Sequence, residues 1–113
     1  AMQAAGGCLC GAVTYEFNRT EAKSAVNCFC RDCQRGHGSG CATALFVPEA
    51  HFQVAGTPAT FERAGTTRVF CSTCGTPIFS KSARAPEFVI LKVGTLDDPA
   101  WVIVSHSLHC HAA

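Results

Sequence analysis

No basic stripe runs through this chain. Its six Arg and three Lys are scattered among eight acids, for a net charge of +1. A large electrostatic footprint for nucleic acid is therefore not expected. Long apolar runs are missing too: the longest, such as 88–91 and 102–104, are far too short to span a bilayer. No charged segment followed by an apolar stretch opens the sequence, so no export signal is read and a cytoplasmic location is expected. Low-complexity tracts and repeats of solenoid period are absent. Nor does any window hold a 3.6-residue apolar period over a full helix length, which argues against a helical fold.

What the chain does hold is short apolar stretches, rich in Val, Phe and Thr, between Gly, Pro and polar breaks. Candidate strands are 12–17, 25–27, 41–47, 52–55, 60–63, 68–71, 77–81, 88–93 and 101–105. Val13, Tyr15 and Phe17 alternate onto one face of the first. A spacing of roughly eight to twelve residues is the mark of an all-β domain. The best helical candidate is one turn at 31–35, which Gly36, Gly38 and Gly40 are expected to break into a mobile loop. With 113 residues and 48% hydrophobic content, one globular domain over 3–113 is expected, with Ala1 and Met2 as a scar or start ahead of it. A domain of this size is often helped by a covalent or metal staple.

Nine cysteines could supply that staple. The odd count and the missing export signal weigh against disulfides and favour metal binding in a reducing compartment. Seven of the nine fall into three clusters: Cys8 and Cys10; Cys28, Cys30 and Cys33; Cys71 and Cys74. Zinc takes four ligands in a tetrahedron, and thiolates are its usual structural set. Cys71 and Cys74 followed by Gly75 form a C-x2-C knuckle, and Cys8 and Cys10 followed by Gly11 form a shorter pincer. Neither pair closes a site alone. Joined, they make a four-cysteine zinc site tying an N-terminal segment to a late one. Cys28, Cys30 and Cys33 can meet at a second zinc whose fourth position stays open, the pattern of a reactive metal. Three thiolates overcompensate the ion's charge, so a thiol held as thiolate is expected as the fourth ligand, rather than a hydroxide. Alternatively Cys41, eight residues past Cys33, closes this site as a second structural one. His109, Cys110 or His111 could also lend the fourth ligand.

The segments GGCLCGAVTYEF, NCFCRDCQRGHGSG, TTRVFCSTCGTPIFS and VGTLDDP resemble the glutathione-dependent formaldehyde-activating enzyme family, which includes the vertebrate centromere protein V. The resemblance covers about 6–99 and keeps the family's motif order. It implies a β-tent fold of small antiparallel sheets pinned by zinc. It implies Cys8, Cys10, Cys71 and Cys74 as the structural site, and Cys28, Cys30 and Cys33 as the catalytic one. It further implies a carbon–sulfur lyase that joins glutathione and formaldehyde into S-hydroxymethylglutathione. The tail departs from the family's pattern: Trp101 follows the VGTLDDP segment at once, and a His-rich stretch ends the sequence.

Other residues then acquire candidate roles. His37, in the glycine segment, could move a proton from an incoming thiol. Arg31, Arg35 and Arg68 could clamp the carboxylates of glutathione. Asp32 could brace the middle cluster through a backbone bond, though an ordinary solvated charge is the plainer expectation. Phe29 is expected to serve the core more than a substrate. The rival to the enzyme is a zinc-stapled binding module or a thiol sensor that captures a ligand without turning it over.

Overall fold

The structure, a computed structural model, describes residues 3–108. His109, Cys110 and His111, considered above as ligands, lie outside the described residues. Two sheets carry the fold. The first has three antiparallel strands in the order β1-β2-β5: β1 (Gln3–Gly7), β2 (Thr14–Asn18) and β5 (Phe52–Ala55). The second has seven, in the order β10-β3-β4-β9-β8-β7-β6. Its members are β3 (Ala25–Cys28), β4 (Ala42–Pro48), β6 (Pro58–Arg63), β7 (Thr66–Cys71), β8 (Pro77–Ser82), β9 (Phe88–Lys92) and β10 (Val104–Leu108). All its pairings are antiparallel except β10 with β3, which is parallel, so the larger sheet is mixed.

Strand alternation gives the large sheet two different faces. The ladder sets Ala25 opposite Leu45, Leu45 opposite Leu91, Leu91 opposite Phe79 and Phe79 opposite Val69. This face turns toward the three-stranded sheet. Phe52 bridges the two, its ring 5.3 Å from Tyr15 and 5.1 Å from Phe79. Val13, just ahead of β2, and Tyr15 and Phe17 within it are all buried, as their alternation predicts. Each such side chain contributes roughly 1.5–3 kcal/mol by leaving water. The opposite face carries Cys28, Ala44, Lys92, Ser80 and Arg68. Ala44 pairs with Lys92, Arg68 pairs with Ser80, and Ser80 sits opposite Ile90, two residues before Lys92. A short helix lies along this second face.

That helix, α1 (Arg31–His37), is longer than the single turn predicted at 31–35. Gly36 lies inside it and does not break it. The stop comes at Gly38, whose left-handed φ of 66° lets its N–H return to the Gln34 carbonyl at 2.8 Å. Two further expectations need correction. β1 was not anticipated. β10 begins at Val104, three residues later than the predicted 101–105, because Val102 N–H bonds the Pro99 carbonyl (3.0 Å) and the chain is still turning there. Trp101 instead packs beside Phe17, with the Arg19 guanidinium over its ring.

Candidate metal centres and an adjoining cavity

The first cysteine group forms where two turns meet. Cys8 and Cys10 sit in the loop between β1 and β2. Cys71 ends β7, and Cys74 lies in the turn before β8. Both turns close on a left-handed glycine. Gly11 (φ 82°) donates its N–H to the Cys8 carbonyl at 3.2 Å, and Gly75 (φ 80°) donates to the Cys71 carbonyl at 2.9 Å. A Cβ at either place would strain the turn. Backbone N–H groups point at the sulfurs: Val13 to Cys8 Sγ (3.3 Å), and Thr73 and Cys74 to Cys71 Sγ (3.3 and 3.4 Å). Such donors favour the thiolate. Cys8 is lowered from the usual thiol range by the Val13 bond first of all. Cys74 is lowered to about 5, chiefly by the Thr76 hydroxyl.

The four sulfurs all lie within 4.8 Å of one another. Cys8 to Cys10 is 3.6 Å and Cys10 to Cys71 is 3.7 Å. Zinc–sulfur bonds of about 2.3 Å give a tetrahedron with edges of about 3.8 Å, so the donor set fits that ion. None of the eight described cysteines is in a disulfide.

The second group stands on the other face of the large sheet. Cys28 ends β3, Cys30 caps α1 and Cys33 lies in its first turn. The cap is a sulfur, Cys30 Sγ, accepting from Cys33 N–H at 3.3 Å in the place usually held by Ser or Asp. Cys28 and Cys33 sulfurs are 3.3 Å apart, and the three sulfurs again lie within 4.8 Å. Burial opposes ionisation of Cys30, but the Cys33 N–H and the neighbouring thiols outweigh it and lower its pKa. Cys33 is pushed up to about 12 by burial and by the adjacent sulfurs, which resist a second thiolate. A bound cation would relieve that repulsion. Cys41, offered above as the closing ligand, does not join this group: it precedes β4 and falls outside the set of mutually close sulfurs. Among the described residues, then, the group holds three ligand atoms.

Four residues along α1 from Cys33 comes His37. Its Nδ1 lies 2.9 Å from the Cys33 carbonyl, which can only accept, so Nδ1 carries the proton and Nε2 is a bare acceptor. That Nε2 is buried without a hydrogen-bond partner. Burial, helped by the charges of Lys92 and Arg68, holds the ring below the usual histidine range and therefore neutral. His37 borders a cavity of about 330 Å³ between α1 and the large sheet, whose wall also includes Arg68, Ser80, Lys92 and Phe79. The spacing of the cysteines revealed the two groups that could hold a metal. Lys92 went unnoticed because it sits inside an apolar run. Its signal was a lone cation in a stretch otherwise fit for a core strand.

The other candidates fall elsewhere. Arg31 is exposed and donates to Gln34 Oε1 (2.6 Å), and Arg35 is exposed. Asp32 accepts from Arg63 Nε at 3.2 Å, an exposed pair linking α1 to β6. Phe29 is half-buried and does not line the cavity. A larger groove, about 600 Å³, runs beside the four-cysteine group; its lining includes Glu16 and Asp97 and no Lys, Arg or His.

Comparison with known proteins agrees with this architecture. The family model described as glutathione-dependent formaldehyde-activating enzyme matches residues 3–112. A structural-genomics crystal structure of a Rhodobacter sphaeroides protein shares the fold, with a TM-score of 0.65 and 24% identity over 91% of this chain and 98% of that one. At that identity the likeness concerns the fold alone. No curated protein matches the chain. No described helix is long and apolar enough to cross a membrane.

Proposed function

Because the chain belongs to the glutathione-dependent formaldehyde-activating enzyme family, we propose that it is a carbon–sulfur lyase joining a glutathione-like thiol to formaldehyde or another small aldehyde. Cys8, Cys10, Cys71 and Cys74 would hold a structural zinc, and Cys28, Cys30 and Cys33 a second zinc at the reaction site. One observation carries the reading: the second group gathers three sulfurs rather than four, and the helix that holds two of them also walls a cavity. Bound there, zinc would supply a Lewis-acidic seat that favours the substrate sulfur as a thiolate.

The chain's own residues supply the rest. The cap at Cys30 and the end of β3 fix the sulfurs on ordered elements. His37 Nε2, bare and buried, takes the proton of the incoming thiol. The sulfur then bonds to the aldehyde carbon. The carbonyl electron pair moves to oxygen, and the imidazole returns the proton there. No electrons leave or enter, and the reverse path is cleavage of the carbon–sulfur bond. Nine thiols suit a reducing compartment, in keeping with a cytoplasmic enzyme.

The test is exchange NMR of formaldehyde and glutathione with protein carrying two zinc ions. Thiohemiacetal formation should run faster than the spontaneous reaction, and Cys33→Ser should remove the gain. An unchanged rate with both metals in place would overturn the proposal. Tight glutathione binding without acceleration would favour a thiol sensor.

A further inference from the structure

The four-cysteine group is assembled from two segments that lie far apart in the chain: Cys10 and Cys71 are separated by 61 positions. Each segment shapes its own pair through its own turn. Something must also fix one pair against the other, and Thr76 does so through three contacts. It stands between Cys74 and β8. Its hydroxyl oxygen accepts from the N–H of Leu9, the residue between Cys8 and Cys10, at 3.2 Å, a bond across 67 positions. The same hydroxyl lies 3.1 Å from Cys74 Sγ. Its backbone carbonyl accepts from Cys71 N–H at 3.0 Å.

Chemistry fixes the direction of the hydroxyl bond. A threonine hydroxyl has one proton and two lone pairs. One lone pair is taken by Leu9 N–H, which can only donate. A metal ligand is a thiolate, and a thiolate can only accept, so the hydroxyl proton goes to the Cys74 sulfur. Leu9 is 90% exposed, so its side chain offers this loop little anchorage, and the N–H supplies it. Pro77 comes next, and the residue before a proline is kept extended. That suits a β-branched side chain and leaves it few other orientations. The three-cysteine group has no such need, because Cys28 and Cys33 are five positions apart, at one strand end and one helix start.

We infer that Thr76 is the positioning residue of the four-cysteine metal centre: its hydroxyl ties the 8–10 loop to Cys74 and holds the sulfurs at the spacing the ion needs. The inference rests on the reading of Cys8, Cys10, Cys71 and Cys74 as a zinc site. Partners that orient ligands in this way carry about 10- to 100-fold in metal affinity. Thr76→Val removes the hydroxyl but keeps the β-branched shape and the carbonyl bond to Cys71. Thr76→Ser keeps the hydroxyl and drops the methyl.

Cadmium NMR on the full chain carrying two cadmium ions tests it. A site of four sulfurs and a site of three resonate apart, so a competing chelator reports the affinity of each. Thr76→Val should weaken binding at the four-sulfur site by about ten-fold or more, and leave the three-sulfur site within about two-fold of wild type. Its four-sulfur resonance should also move, because a hydrogen bond to a ligand sulfur has gone. Thr76→Ser should restore both the affinity and the resonance. Hydrogen exchange on zinc-loaded wild-type protein gives a check free of any variant: the Leu9 amide should exchange about ten-fold or more slower than an unbonded amide. A valine variant as tight as wild type would overturn the inference, as would an unprotected Leu9 amide. So would a serine variant as weak as the valine one, since the methyl would then matter and not the hydroxyl. Equal loss at both sites would overturn it too, as a general loss of fold. Wild-type protein with no four-sulfur resonance would remove the zinc site itself, and the role of Thr76 with it.

Discussion

Lys92 is a cation at the end of a strand that otherwise buries aliphatics, and its stability cost has a sign that can be worked out. Burial lowers its pKa from 10.5 to about 8, the neighbouring thiols opposing and Arg68 assisting. In the unfolded chain the amine keeps its proton to the higher value, so the unfolded state binds more protons between the two. Stability therefore rises with pH through that window. The cost is present in full below about 8 and fades by 10.5. Lys92→Met should accordingly stabilise the protein at pH 7 by on the order of 1–3 kcal/mol, with the gain shrinking between pH 8 and 10.5. Thermal unfolding of both proteins across that range checks it. A loss of stability at pH 7 would show that the ammonium already has a partner.

At the level of elements, two turns show how local chemistry sets the frame. The β6–β7 hairpin turns on Ala64 and Gly65, both with positive φ (55° and 83°). Glycine tolerates this, and alanine pays in Cβ contact. Ala64→Asn should stabilise the hairpin by about 0.5–1 kcal/mol, since Asn is at home in two-residue turns of this kind; a denaturant midpoint that does not move would count against it. Gly6 in β1 is the reverse case. A Cβ there would run into the Thr95 carbonyl and the Tyr15 hydroxyl, which itself donates to Thr95 Oγ1 at 2.7 Å. Gly6→Ala should cost roughly 1–3 kcal/mol by overpacking, read as a lower unfolding midpoint with both metals still bound. This close approach also explains why β1 escaped notice. Its sequence, QAAGG, carries none of the β-branched or aromatic residues that mark a strand, because its place demands small ones.

For the molecule as a whole, the two proposed zinc sites should matter unequally. Cys10 and Cys71 are 61 positions apart, so a metal joining them closes a long loop and ties the β1–β2 loop to the far end of the large sheet. Cys28 and Cys33 are five positions apart, and a metal there restrains little beyond the start of α1. Loop-closure entropy predicts a greater stabilisation from the first. Cys71→Ser should lose one zinc and several kcal/mol of stability, on the scale of structural zinc sites. Cys30→Ser should also lose one zinc but little stability, because a serine can still cap α1. Metal content and unfolding temperature measured together decide this. Equal losses from the two variants would contradict the division of labour.

The ligand groups, most strands and the family were legible in the order of the residues. Cysteine spacing, glycine after each knuckle and the alternation of Val13, Tyr15 and Phe17 are local properties, and local sterics dictate what they become. Even the cap of α1 was latent in the cysteine spacing, since a sulfur two or three bonds from the backbone can stand in for a hydroxyl. The cavity was not legible. Arg68, Ser80 and Lys92 belong to three strands and His37 to a helix, and nothing in any one segment says they share a face. Only the register of β7, β8 and β9 and the seat of α1 above them bring the charges together. Pairing across strands is a long-range choice made by the packing of the whole core, so the chain alone announced its two cysteine groups while the tertiary fold decided what could lie beside them.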